Sequence, residues 1–113
     1  MNRRDELVLR KIVKYADEVK ETICRFELTS EKFAEDFVVR NAISMCILQI
    51  GELVAKLSDE FKLTNDIMPW REIKAMRNIA AHNYGEMDYD ILWETAISDI
   101  PSLRDYCNGF ISK

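Results

Sequence analysis

From about Asp5 to Phe26 the apolar residues Ile12, Val13, Ala16, Val19, Ile23 and Phe26 recur at three- and four-residue steps. Arg10, Lys11, Lys14, Asp17, Glu18, Lys20 and Glu21 lie between them, which is the period of an amphipathic helix. Thr29 and Ser30 then offer an N-cap, and Glu31 suits the positive end of a second helix, predicted to run to about Phe61. Its middle, Ala42 to Gly51, is apolar nearly all round, as expected of a central helix touched on several sides by neighbours or by a partner subunit. Leu63 to Met68 reads as a loop, and Pro69 suits the first turn of a third helix through Trp70, Ile73 and Met76 toward His82. Past Gly85 a final helix is expected near Asp88 or Asp90, kinked or split by Pro101 before Leu103, Tyr106 and Phe110. The pattern predicts an all-α, up-down bundle of four to five helices, with residues 1–113 as one domain.

Composition agrees with that outline. A chain of 113 residues has the length of one domain with a single core. Three glycines and two prolines leave few turn-makers for a β-rich fold. Cys24, Cys46 and Cys107 are odd in number and far apart, so neither a disulfide framework nor a thiolate zinc site is expected. The first residues carry no signal-peptide pattern, and no stretch approaches the roughly 18 apolar residues of a membrane helix; the expectation is a cytoplasmic protein with no membrane segment. The net charge of −4 argues against coating nucleic acid by bulk attraction, so any contact with RNA must be local. His82 is the single histidine, which excludes a multi-histidine metal cluster within one chain; no metal and no cofactor are expected.

On an ideal third helix, at about 100° per residue, Arg71, Lys74, Asn78 and His82 form one polar stripe, while Ile73, Met76, Ala80 and Tyr84 lie on the other side. A stripe of this kind is most often a solvated face. Arg77 falls roughly 140° from His82, toward the packed side, where an arginine needs a reason. It can pair with a carboxylate such as Glu52, which follows Gly51 on the apolar second helix, or hold a phosphate with its rigid fork of donors.

The segment from Met76 to Gly85, Met-Arg-Asn-Ile-Ala-Ala-His-Asn-Tyr-Gly, resembles the Arg-x-x-x-x-His motif of HEPN proteins, extended to Arg-x-x-x-x-His-x-Tyr as in HepT toxins. Ile50-Gly-Glu52, Pro69-Trp70, Asp88, Trp93 and Asp99-Ile-Pro-Ser-Leu103 extend the resemblance over most of the chain, and nothing departs from the pattern at Arg77, Asn78, His82 or Tyr84. The resemblance implies a HEPN-type bundle that forms a homodimer, with both motifs meeting in a cleft and metal-independent cleavage of RNA. It also implies a minimal nucleotidyltransferase antitoxin that silences the toxin by transferring AMP to Tyr84.

Attack of a 2′-hydroxyl on the adjacent phosphorus needs a base of near-neutral pKa and a cation on the phosphate oxygens, and His82 and Arg77 are those residue types. Asn78 is expected to assist them, with Glu52 and Lys74 as further supporting residues. A lone histidine near a helix C-terminus more often stabilises the helix end than it catalyses; the motif reverses that order here. Because Arg77 and His82 diverge on an ideal helix, one site is expected to combine two chains, or the helix end to bend near Gly85. Trp70, Trp93, Tyr89 and Tyr106 are expected to be core rather than a base-stacking platform. The alternative function is a non-catalytic subunit that binds a nucleotide or docks a nucleotidyltransferase.

Overall fold

A computed structural model describes residues 1–81 and 89–111, the side chains of residues 79–81 excepted, and among these all regular structure is helical. Four helices form the bundle: α1 (Arg3–Arg25), α3 (Phe37–Lys56), α5 (Trp70–Ala81) and α7 (Ile100–Ile111). Three six-residue helices, α2 (Ser30–Glu35), α4 (Asp59–Thr64) and α6 (Tyr89–Glu94), connect them. The sequence reading expected fewer elements because it ran α2, α3 and α4 together as one helix.

The two breaks are made by capping side chains rather than by Pro or Gly. Asp36 is extended (φ −101°, ψ 101°), and its carboxylate accepts from the Val38 N–H at 3.0 Å, starting α3 afresh. Arg40 then reaches back one corner to donate to the Ala34 carbonyl at 2.6 Å, satisfying the end of α2. Ser58, also extended, caps α4 through the Phe61 N–H at 3.1 Å. At the end of α1, Glu27 adopts a positive φ of 48° and the Leu28 N–H bonds to the Ile23 carbonyl at 3.0 Å, a closure that normally favours glycine.

The bundle runs up, down, up, down, and its α4 end is tied twice. Asp5 is 2% exposed and accepts from both the N–H (2.9 Å) and the hydroxyl (2.6 Å) of Ser58, which fastens the start of α1 to the end of α3. Phe61, Trp70, Tyr106 and Phe110 form a chain of tilted and edge-on ring contacts with centroids 5.2–6.0 Å apart, joining α4 and α5 to the end of α7. Trp93 packs on Phe33 at 5.3 Å, and Tyr89 lies under the Arg40 guanidinium at 4.3 Å. All four aromatic residues weighed as a stacking platform therefore pack within the protein.

α3 lies between α1 and α5, and its Ile43, Ile47, Ile50 and Val54 are almost fully buried. This central position explains its composition. An 18-residue window reaches a mean hydropathy of 1.5, closer to a membrane span than the sequence reading allowed, yet much of it is core. The interruption expected at Pro101 falls just ahead of it, and Pro101 is the second residue of α7. A π turn over Thr95–Asp99 joins α6 to α7, and the Ile100 N–H bonds to the Thr95 carbonyl five residues back. The wider turn suits a residue that has no N–H to give and whose ring crowds the preceding turn.

Candidate active site

The site begins with a missing side chain. A Cβ placed on Gly51 would meet the Arg77 Cβ at 2.7 Å and its backbone nitrogen at 3.1 Å. Only glycine lets α3 and α5 approach this closely. Gly51 is buried, and Ile73 and Met76 at 5% exposure set the inner face of α5, so the Arg77 backbone is pressed into the seam.

The adjoining residue on α3 captures the arginine's head. Glu52 Oε1 stands 2.7 Å from Arg77 Nε, with the two side chains 44% and 46% exposed. The pairing considered from sequence is thus present, but the packed-side placement needs correcting: the arginine's base is packed while its guanidinium emerges into solvent. A long side chain does this at low cost, burying its stem and keeping its charge wet. An ion pair this exposed contributes little stability. Its effect is orientation, because a carboxylate beside Nε limits how the fork can turn and leaves an exposed surface for an anion.

Lys74 and Asn78 lie on the outer side of α5 and are exposed, as is Arg71, so the polar stripe expected from the helical period is present as far as it is described. α5 is helical through Ala81, the residue before His82. His82 and Tyr84 themselves lie outside the described residues, as does Gly85, where the helix end was expected to bend. The role of Gly51 was missed from sequence, although a glycine inside an otherwise apolar helix is a signal of close approach.

The fold is thus a four-helix up-down bundle in which an arginine, steadied by a glutamate, emerges from the edge of the α3–α5 seam, as the small helical nucleic-acid enzyme suggested by the motif requires. The comparisons narrow it. Residues 12–109 match the family model described as ribonuclease HepT-like, and the chain belongs to that family. A protein of Caldanaerobacter subterraneus subsp. tengcongensis assigned as an RNase is 34% identical over 86 residues, covering 76% of this chain and 77% of its own. A protein of Thermococcus cleftensis assigned as ribonuclease HepT is 33% identical over 95 residues, covering 80% and 86%. A Methanocaldococcus jannaschii protein assigned as an RNase is 30% identical over 105 residues, covering 92% and 85%. No solved structure gave a significant match.

Proposed function

We propose that this protein is a cytoplasmic toxin that cleaves RNA without a metal, with Arg77 binding the scissile phosphate and His82 transferring the proton. The observation that carries the reading is Arg77, its backbone seated on Gly51 and its guanidinium steadied by Glu52 at 2.7 Å and half open to solvent, five residues before the only histidine. In the reaction, His82 takes the proton of the 2′-hydroxyl as its oxygen bonds to phosphorus. The P–O5′ bond breaks, and the departing oxygen receives a proton from an imidazolium, leaving a 2′,3′-cyclic phosphate. Arg77, with Asn78 and Lys74 beside it on α5, offsets the charge that builds on the phosphoryl oxygens.

With one histidine per chain, base and acid come from two chains, so the active species is a homodimer. The outer face of α3 supports this: Val38 is 62% and Met45 52% exposed, and both lie on the same outward stripe as Glu52. Tyr84, two residues beyond His82, is the point of control. Transfer of AMP to its hydroxyl by a minimal nucleotidyltransferase antitoxin adds a phosphodiester anion that occupies Arg77 and repels RNA.

The deciding experiment is degradation of single-stranded RNA by purified protein in excess EDTA, set against His82→Ala. The parent should cut and the variant should lose at least about 100-fold. Equal behaviour of the two would leave the non-catalytic binding subunit as the better reading. Tyr84→Phe should keep much of the cleavage yet resist silencing when the partner enzyme and ATP are supplied, and intact mass should show AMP added to the parent alone.

A further inference from the structure

In a chain of net charge −4, one groove is lined by cations and by no carboxylate. This groove, of about 400 Å³, runs between the N-terminal half of α1 and the last turn of α3, lined by Arg3, Arg4, Lys11 and Lys56 around Leu7 and Leu53. Arg4, Leu7 and Lys11 share one stripe of α1, the two cations about 10 Å apart along the axis. The carboxylates that might neutralise them are turned elsewhere. Asp5 is buried against Ser58, Glu6 is held by Arg3 at 2.7 Å and Arg10 at 3.5 Å, and Glu52 is paired with Arg77. Arg4, Lys11 and Lys56 make no ion pair among the described residues.

The groove is also connected to the candidate site. Along α3 successive residues turn by about 100°, so Gly51 faces α5, Leu53 faces the α1 groove, and Glu52 crests the ridge between them. Lys56, one turn beyond Glu52, stands on that same ridge and lines the groove. A strand of regularly spaced anions laid across α3 would meet Arg77 on one flank and Lys56, Arg4 and Lys11 on the other. Val38 and Met45, on the outward stripe, lie about 27 and 16 Å along α3 from Lys56, toward the end of the helix away from the groove.

We propose that this α1–α3 groove is a second binding site for the phosphate backbone of RNA, holding nucleotides away from the scissile bond. The site rests on the ribonuclease reading for its purpose, but its test is binding, which does not require cleavage. Cations of this kind read no sequence; they set affinity and register, and their signature is salt dependence.

The experiment uses the full chain carrying His82→Ala, so that RNA stays intact, and a dye-labelled single-stranded RNA of about 20 nucleotides. Fluorescence anisotropy gives Kd across a series of KCl concentrations, for that protein and for a version with Arg4→Gln, Lys11→Gln and Lys56→Gln. Loss of three phosphate contacts should reduce the slope of log Kd against log salt by about 2, and weaken binding at least 10-fold at low salt. A control with the same charge change at the other end of α1 and on the adjoining α2, Lys20→Gln, Arg25→Gln and Lys32→Gln, should keep the slope within about one contact of the unsubstituted protein. Circular dichroism and thermal unfolding of both sets establish that the fold is intact.

An unchanged slope in the groove variant overturns the proposal, and so does an equal fall in both variants, which would mean bulk charge alone. If the groove variant binds RNA normally but no longer captures a purified minimal nucleotidyltransferase that the parent captures, the groove is a protein-docking surface and the proposal is equally wrong. Failure of the parent to cut RNA, alongside the expected slope change, would instead overturn the catalytic reading and leave the groove standing.

Discussion

Arg77 joins two requirements that usually conflict, a backbone packed tightly enough to be fixed and a charge free enough to meet a ligand. The close approach at Gly51 meets the first, and the length of the side chain meets the second. Arg77→Ala should therefore cost little stability while lowering RNA cleavage at least about 100-fold. Glu52→Gln should cost less, since it removes an aligning partner and no group that touches phosphate; steady-state cleavage at matched folded concentration checks both. The thiols allow a separate test of the core. Burial pushes the Cys107 thiol from 9.0 up to about 12, and burial together with the neighbouring Glu18 carboxylate pushes Cys46 up to about 11. The unfolded chain gives up these protons near pH 9 while the folded chain keeps them. The thiols' contribution is therefore full below pH 9 and lost as pH rises toward 11 and 12, on the order of 1 kcal/mol per pH unit for Cys107. Urea unfolding at pH 8 and pH 10.5 should show a smaller loss in Cys107→Ala than in the parent.

Among the elements, the α3–α5 seam decides where the candidate site sits. Gly51→Ala should force the helices apart, a strain of about 1–3 kcal/mol set against about 1 kcal/mol regained in helix propensity. The net destabilisation should be on the order of 1 kcal/mol, with a larger proportional loss of cleavage because Arg77 moves with its backbone. A variant that gains stability by urea unfolding would show the seam to be looser than described. The sequence was legible where a single period governed: α1, the apolar middle of α3 and the inner face of α5 follow from spacing, whereas the pairing of Glu52 with Arg77 was one of two roles open to that arginine. It was not legible where a polar residue acted through local geometry. Asp36 and Ser58 look like ordinary surface positions of a long helix, and only a backbone that has already turned makes them caps. The cationic groove was hidden for a different reason, since Arg4 and Lys56 are 52 positions apart and nothing in either neighbourhood announces the other.

For the whole molecule, the outward stripe of α3 is the strongest sign of self-association, because Val38 and Met45 on it, with Phe37 beside them at the helix start, are each more than half exposed on a helix whose opposite face is core. Sedimentation equilibrium should give about twice the 13.3 kDa chain mass. Val38→Asp with Met45→Asp should give monomers that no longer cut RNA. A strict monomer that still cleaves would overturn the two-chain site. The fastened α4 end of the bundle has another consequence. One cavity there is lined at once by Met1, Asn2, Ser58, Phe61 and Phe110, so the first residues and the last described turn meet across a space that a flexible linker of about six Gly and Ser residues can bridge. The chain order is then separable from the fold. A circular permutant that closes the ends with such a linker and opens between Asp66 and Ile67, where Ile67 is 81% exposed, should fold cooperatively with the same helical signature, while moving the point of attachment for any fused domain to the α4–α5 loop.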